Sequence, residues 1–218
     1  MVLNLYGLEP SPACRTVLLT LNALGCEFKL KKIQLKKFEQ KTEDFRKKNP
    51  LQLIPVLEDE GQYLADSHAI SAYLVRKYAK NDSLYPKDFK QRALVDHRLF
   101  FDSGVLFASL NAITIKVFQE NNPIIPEDKQ NDVISGYEFL EKFLENSNYV
   151  AGENVTIADF SILATVSSLN YLVPIDGKKF PKVMQWMELM TKLPYYERGN
   201  ELGLALFAKK CEIFLKKE

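Results

Sequence analysis

The sequence predicts an α/β domain at residues 1–80, followed by an all-helical domain at 88–218. Up to residue 80, short apolar runs typical of strands alternate with segments of helical periodicity. Beyond residue 88, the long segments all have helical periodicity and no strand is predicted. A polar stretch ending in Pro86 separates the two parts and is typical of a linker, which we place at residues 81–87.

The α/β part begins with a βαβ unit. Val2–Tyr6 and Phe28–Ile33 are short and largely apolar, so each predicts a strand. Residues 13–24 between them have the apolar spacing of an amphipathic helix. This order predicts two parallel strands joined by a right-handed crossover.

A hairpin and a helix complete the α/β part. The lysine-rich residues 38–48 predict a short helix that leads into it. Residues 53–57 and 62–64 flank a turn at 58–61 and indicate two antiparallel strands. Residues 67–80 predict the last helix. The order βαβ, α, ββα is that of a thioredoxin-like domain.

The C-terminal part consists of helical segments at residues 88–120, 127–146, 156–171, 180–191 and 195–216. Thr156 and Asp159 open the third of these as a capping box, in which each side chain hydrogen-bonds the backbone of the other residue. We interpret this box as structural, because it stabilises a helix start and performs no chemistry.

Composition excludes several classes of protein. The formal net charge is +1, so no whole-chain field favours nucleic acid or a membrane. No apolar run reaches about 18 residues, and a strand is predicted from Val2 onward, so we expect neither a transmembrane helix nor a signal peptide. The three cysteines match neither a disulfide framework nor a metal-ligand spacing. We therefore expect a cytoplasmic protein without a metal site.

Four motifs along the chain form a recognisable combination. They are Ser11-Pro12-Ala13-Cys14-Arg15 at a strand-to-helix turn, Asn49-Pro50 with Ile54-Pro55, Asp66-Ser67-His68-Ala69-Ile70, and Thr156-Ile157-Ala158-Asp159-Phe160. Together they resemble the cytosolic glutathione transferases, most closely the insect delta/epsilon group and epsilon in particular. The resemblance covers essentially the whole chain.

The resemblance implies the glutathione transferase fold and an activity. The activity is conjugation of the glutathione thiolate to hydrophobic electrophiles, as in xenobiotic detoxification. It also implies a homodimer that binds glutathione as a cosubstrate and has no bound cofactor. The electrophile stays open at this point, as do glutathione-dependent dehydrochlorination and peroxide reduction as further activities.

Ser11 is the predicted catalytic residue. It precedes the first helix, where free N–H groups and the helix dipole stabilise an anion. A hydroxyl that donates to the glutathione sulfur favours the thiolate, which is the attacking form. Taken alone, a serine here is usually an N-cap, and the resemblance is what implies catalysis. Tyr6 is an alternative, because other classes of the family use a tyrosine at the end of the first strand.

The resemblance also implies the glutathione contacts. Ile54 and Pro55 match the family's cis-proline turn, whose free backbone groups pair with the cysteinyl part of glutathione. Asp66 is expected to meet the γ-glutamyl ammonium and Ser67 the γ-glutamyl carboxylate. His68 occupies the place of a further basic contact.

One segment departs from the family pattern. Relatives usually read Asn-Pro-Gln-His-Thr before the cis-proline turn, whereas Leu51 and Gln52 stand here in place of the Gln and His. Gln52 can donate a hydrogen bond to the glycyl end of glutathione but cannot become charged. Leu51 offers no polar contact, so glutathione affinity or its pH dependence is expected to be atypical.

One face of the helix at 88–120 is the predicted wall for the electrophile. Its members are spaced i, i+3, i+4 and i+7 and are Phe107, Leu110, Asn111 and Thr114. Taken alone, this spacing is typical of a helix face that is buried in the core. The resemblance implies that this face lines the electrophile pocket, with Phe118 and Phe207 as possible further walls.

Two other functions are compatible with the sequence. A thiol–disulfide oxidoreductase would use Cys14, although this residue holds the second position of the C-x-x-C spacing, where a thiol is usually buried. A non-catalytic carrier of hydrophobic molecules would share only the fold. The nine Lys or Arg residues at 29–48 are either a solvated face or a positive field that attracts anionic glutathione.

Overall fold

The computed structural model describes residues 2–215. The N-terminal part contains, in chain order, β1 (Leu3–Gly7), α1 (Pro12–Leu24), β2 (Phe28–Lys32), α2 (Glu43–Lys48), β3 (Val56–Asp59), β4 (Gln62–Ala65) and α3 (Ser67–Tyr78). The helix predicted at 38–48 is shorter than expected, because Phe38 has a φ of 57° and separates two 3₁₀ turns that precede α2.

The four strands form one mixed sheet in the order β2-β1-β3-β4. β1 pairs parallel with β2 and antiparallel with β3, and Leu5 of β1 lies opposite both Leu30 and Leu57. β4 pairs antiparallel with β3, as expected for the hairpin. This sheet with its crossover helix α1 confirms the predicted thioredoxin-like domain.

One face of the sheet packs against α1 and α3. Side chains alternate between the two faces of a strand, so Leu3 and Leu5 of β1 are both buried there. They pack with Leu18 of α1 and Leu74 of α3. Burying each such side chain contributes about 1.5–3 kcal/mol, and this packing fixes the two helices against the sheet.

The C-terminal part is helical throughout its regular elements. These are α4 (Phe89–Phe101), α5 (Phe107–Thr114), α6 (Glu127–Phe143), α7 (Ile157–Leu169), α8 (Pro181–Thr191) and α9 (Leu202–Leu215). The π-helical turns Asp102–Leu106 and Ile115–Gln119 make one continuous run from α4 through α5. Residues 1 and 216–218 of the predicted domains, including the expected helix end at 216, lie outside the described residues.

Helix α7 joins the two parts of the chain. It is buried along its whole length and packs against α1. The predicted capping box at its start is present, and the Asp159 carboxylate accepts from the backbone N–H of Thr156 at 2.8 Å. The same carboxylate also accepts from Trp186 Nε1 at 3.1 Å, so the box is tied into the helical core.

The run Phe89–Gln119 is the one helical run in residues 2–215 whose length and composition would suit a membrane span. A core helix of a soluble protein meets the same criterion, so this run is weak evidence for a membrane span.

Candidate active site

A cleft of about 350 Å³ is lined by both parts of the chain. Its α/β side is formed by the first turns of α1 and α3 and by the loop before β3. Its helical side is formed by the π-helical turn after α4, by α5 and by α7. The predicted site residues that line it are Ile54, Pro55, Asp66, Ser67, His68, Phe107 and Asn111.

Ser11 is the N-cap of α1. Its half-buried hydroxyl oxygen accepts from the backbone N–H of Cys14 at 3.4 Å. Ser11 is not itself a lining residue, but the turn that follows it places Ala13 and Thr16 in the cleft wall. Accepting the cap bond uses an oxygen lone pair, so the cap does not consume the O–H proton. The capping and catalytic interpretations of Ser11 are therefore compatible.

Tyr6 has a different environment. Its hydroxyl donates to Glu58 Oε2 at 2.8 Å, and its ring lies beside Tyr63. Burial and the neighbouring Glu58 carboxylate raise the pKa of Tyr6 above its ordinary value. The Tyr6 proton is thus already donated, and the residue is not part of the cleft wall, so the geometry favours Ser11.

Cys14 is fully buried. Burial raises the pKa of its thiol to about 11, although the Leu8 N–H and the Ser11 side chain oppose this effect. A neutral, inaccessible thiol is a poor nucleophile. The structure gives no support to an oxidoreductase based on Cys14.

The loop before β3 is held by Asn49. The Ile54–Pro55 peptide bond is cis, which matches the family pattern. Asn49 Nδ2 donates to the Leu53 carbonyl at 2.8 Å, and its Oδ1 accepts from the Leu51 N–H at 3.0 Å. Gln52, with a φ of 59°, is absent from the cleft wall, whereas Leu51 and Leu53 on either side line it.

Asp66 is the N-cap of α3. Its Oδ1 accepts from the backbone N–H of His68 at 2.9 Å and of Ala69 at 3.1 Å. Ser67 follows as the first residue of the helix, and both Asp66 and Ser67 line the cleft. A second helix N-terminus therefore borders the cleft, beside that of α1.

His68 connects the α/β part to the helical part. Its Nε2 lies 2.6 Å from Ser161 Oγ and 3.3 Å from Asp102 Oδ2, and the Ser161 hydroxyl donates to that same carboxylate oxygen. Burial opposes the charged form of His68, but the hydrogen bond and charge of Asp102, with the charge of Asp66, outweigh it. The pKa of His68 is therefore above its ordinary value.

The predicted electrophile residues separate into two groups. Phe107 and Asn111, one helical turn apart on α5, line the cleft. Leu110 is only 2% exposed and packs in the helical core, since it lies on another face of α5. Thr114 donates its hydroxyl to the Asn111 carbonyl at 3.1 Å, and Phe118 packs edge-on against the buried Phe207 at 5.9 Å. These last three side chains also lie outside the cleft wall.

Sequence reasoning missed the polar face of α7 and its partner Asp102. The signal was present as Ser161, Thr165 and Ser168 at i, i+4 and i+7 in a helix that is apolar at most of its other positions. Ser161 and Thr165 line the cleft, whereas Ser168 accepts from the fully buried Arg15 guanidinium. Burial lowers the pKa of Arg15 to about 9, partly offset by Tyr196, Cys14 and Tyr171.

The geometry agrees with comparisons to known proteins. Residues 1–76 match the glutathione S-transferase N-terminal domain, and residues 111–194 match the C-terminal domain. The chain belongs to the glutathione S-transferase family. It is 40% identical over 217 residues to glutathione S-transferase 1 of Manduca sexta. The aligned region covers 96% of this chain and 99% of that relative.

Two solved structures of similar proteins have a TM-score of 0.95 with this chain. One is an epsilon-class glutathione S-transferase from the housefly, Musca domestica, at 45% identity over 97% of both chains. The other is a glutathione transferase homologue from Drosophila mojavensis with bound glutathione, at 42% identity over 98% of this chain and 97% of that one.

These matches confirm the predicted family, the insect epsilon/delta likeness and the transferase class. Glutathione is the substrate that this family shares, and the alternatives of a carrier or an oxidoreductase gain no support. Within residues 2–215, no three His, Cys, Asp or Glu side chains are grouped so that they could hold a metal ion.

Proposed function

We propose that this chain conjugates glutathione to apolar electrophiles in the cleft, with Ser11 stabilising the thiolate. The observation that carries this proposal is the meeting of two helix N-termini at one cleft. The first turn of α1 contributes Ala13 and Thr16 to its wall, and the first turn of α3 contributes Ser67 and His68. The caps leave the N–H groups of Ala13 in α1 and Ser67 in α3 unused, and each N-terminus carries positive dipole charge, which suits a ligand with two separated anionic groups.

Glutathione in its thiolate form is such a ligand. Its sulfur would lie at the N-terminus of α1 beside the Ser11 hydroxyl, and its γ-glutamyl carboxylate at the N-terminus of α3 beside Ser67. Asp66 has one carboxylate oxygen that caps α3 and a second that can accept from the γ-glutamyl ammonium. The Ile54 backbone supplies the pairing groups for the cysteinyl residue.

The reaction then needs a thiolate and a nearby electrophile. A free thiol has a pKa near 8.5, and donation by Ser11 with the dipole of α1 lowers it, so the proton passes to solvent. The sulfur lone pair forms a bond to the electrophilic carbon. In a halogenated aromatic the halide then departs with its bonding electrons, whereas in an unsaturated aldehyde the π electrons move to give an enolate that takes a proton from solvent. Phe107 and Asn111 of α5 line the other side of the cleft and hold the electrophile beside the sulfur.

We also propose that the protein is a cytoplasmic homodimer. The cysteines at 14, 26 and 211 are free, which suits a reducing compartment.

The homodimer is supported by an exposed aromatic side chain. Phe100 of α4 is 74% exposed and lines a groove with Ala69 and Ala72 of α3. A large aromatic side chain on such a groove favours contact with a second copy. Light scattering after size exclusion measures the mass, which is expected to be that of two chains.

A turnover screen tests the proposed activity. Glutathione is supplied with halogenated aromatics, unsaturated aldehydes or organic hydroperoxides, and glutathione binding is measured separately by calorimetry. We expect turnover of the first two classes, while the hydroperoxides test whether the site also reduces peroxides. Dye binding without any turnover would instead identify a carrier.

A further inference from the structure

We propose that the loop after β2 docks this protein on the surface of anionic lipid membranes, with the Phe38 ring inserted among the lipid headgroups. The contacting surface, which we name the loop patch, consists of Leu35, Lys36, Lys37, Phe38 and Lys41. It lies between β2 and α2, and none of its residues lines the cleft. The docking surface is therefore separate from the proposed catalytic site.

Positive charge is concentrated around the loop patch. Residues 28–41 contain six lysines and a single acidic residue, Glu39, whereas the net charge of the whole chain is only +1. The Glu39 carboxylate is turned back onto the loop, since it accepts from the backbone N–H of Gln34 at 2.7 Å. Within residues 2–215, five of the six lysines form no salt bridge: Lys29, Lys31, Lys36, Lys37 and Lys41. Most of this local charge is thus available to an anionic partner.

Two large apolar side chains are exposed among these lysines. Phe38 is 60% exposed and Leu35 is 38% exposed. The centroid of the Phe38 ring lies 5.2 Å from Lys41 Nζ. A lysine-rich face that only contacts water has no use for an exposed ring. A ring flanked by lysines suits a membrane surface, because the ring enters the headgroup region while the cations stay beside the anionic headgroups.

The backbone at Phe38 provides a second observation. Phe38 joins the 3₁₀ turns Leu35–Lys37 and Glu39–Lys41 and has a φ of 57°, in the left-handed region that is unfavourable for a bulky residue. Glycine or asparagine would adopt this backbone at lower cost. Burial of the ring does not offset the strain, since the ring is exposed. A strained and exposed phenylalanine therefore indicates a contact outside the chain.

Protection of the sheet edge does not explain the loop lysines. β2 is an edge strand, and lysines on such a strand discourage pairing with another chain. The three lysines of the loop patch lie beyond the end of β2, where they protect no strand edge.

The positive surface extends from the loop patch to α9. Burial lowers the pKa of Lys210 in α9, and the charge of Lys36 adds to this effect while Cys211 opposes it. Two cations this close repel each other, and anionic headgroups would relieve the repulsion. Two elements that are distant in sequence thus contribute to one basic surface, as contact with a broad, flat membrane requires.

Cosedimentation with lipid vesicles tests the docking on the full chain. One set of vesicles contains equal parts of phosphatidylserine and phosphatidylcholine, and the other contains phosphatidylcholine alone. We expect binding to the anionic vesicles only. Binding should weaken roughly tenfold or more when the salt concentration rises from about 0.1 M to about 0.5 M, because salt screens the headgroup charge.

A pair of lysine substitutions tests the electrostatic part of the contact. One lysine near an anionic surface strengthens binding about fivefold, so Lys36→Gln with Lys37→Gln should weaken binding to anionic vesicles roughly tenfold or more. The matched control is Lys90→Gln with Lys178→Gln, which removes the same charge from two exposed positions outside the loop patch. That control should bind like the parent protein.

The variant Phe38→Asn tests insertion of the ring. Asparagine tolerates the left-handed backbone, so this change removes the ring while the loop keeps its shape. Binding to anionic vesicles should weaken roughly fivefold or more, because the apolar contact is lost. Ile124 is 71% exposed outside the loop patch, and its matched control Ile124→Asn should bind like the parent protein.

Three results would overturn the proposal. The first is that the parent protein fails to bind anionic vesicles at the lower salt concentration. The second is that the lysine variant binds them as well as the parent does. The third is that the lysine variant loses binding while Phe38→Asn keeps it, since the patch would then be a general anion-binding face rather than a membrane-docking surface.

Discussion

His68 Nε2 lies 3.3 Å from Asp102 Oδ2, across the boundary between the α/β and helical parts of the chain. Ser161 of α7 contacts both groups, so three elements that are distant in sequence meet at one wall of the cleft. The same histidine follows Ser67, the proposed partner of the γ-glutamyl carboxylate. The contact therefore couples the geometry of the glutathione site to the docking of the two parts.

Asp102→Asn should destabilise the protein more in acid than in base. The folded-state pKa of His68 is raised above its ordinary value of 6.5, so its pairing with Asp102 contributes fully below that value. The contribution is lost as the pH rises through the raised folded-state pKa. A hydrogen bond to a charged group is worth about 1.5–3 kcal/mol, which sets the expected loss near pH 6. Urea unfolding at about pH 6 and pH 9 measures both values. A loss that is larger at the higher pH would contradict the pairing.

Ser11→Ala should reduce conjugation by roughly tenfold or more, while Tyr6→Phe retains most of it, because the Tyr6 hydroxyl donates to Glu58 whereas the Ser11 hydroxyl is the proposed donor to sulfur. The reduction should be larger at about pH 6.5 than at about pH 9, where glutathione ionises without help. Initial rates at both pH values provide the measurement.

The Ser11→Ala change also removes a helix cap, worth about 0.5–2 kcal/mol. Thr42, the N-cap of α2, accepts from the Phe45 N–H at 3.3 Å and offers the matched control Thr42→Ala. That variant should lose a similar stability and keep its activity. Parent-like rates for Ser11→Ala at the lower pH would remove Ser11 from the mechanism.

Gln52→Gly should leave the Michaelis constant for glutathione nearly unchanged, because the Gln52 side chain is not part of the cleft wall. Stability should be equal or higher by up to about 1 kcal/mol, since glycine adopts the left-handed backbone at φ 59° without steric cost. Steady-state kinetics and a thermal melt test both expectations. Loss of one hydrogen bond would raise the Michaelis constant for glutathione by roughly fivefold or more. A rise of that size would show that the Gln52 side chain contacts glutathione.

Phe107→Ala should change the ratio of rates on aromatic and aliphatic electrophiles, because the ring lines the cleft and can stack on a flat substrate. Leu110→Ala, three residues further along the same helix, is the matched comparison. Leu110 is buried, so its truncation should cost about 2–5 kcal/mol of stability with the rate ratio unaltered. Melting temperature and the two-substrate ratio are measured on each variant. A large melting drop with an unaltered ratio for Phe107→Ala would assign that residue to the core.

The sequence by itself determined the elements whose causes are local. The apolar run of β1, the N-cap Ser11 and the capping box at Thr156 each depend on residues close together along the chain. Such features can be read from spacing and residue type. The motifs that surround them were sufficient to identify the family and the enzyme class.

Only the tertiary structure decided which side chains share the cleft. Asp102 and Ser161 are 34 and 93 residues from His68, and no spacing rule connects residues so far apart. Likewise, the residues predicted to share one face of α5 have different environments. Leu110 is buried in the helical core, whereas Phe107 and Asn111 line the cleft. Gln52 and its two leucine neighbours show the same limit, since hydrogen bonds from Asn49 and one left-handed residue determine which side chains line the cleft. Periodicity predicts which residues share a face of a helix or strand. Packing against elements that are distant in sequence decides which of those residues are buried and which can contact a ligand.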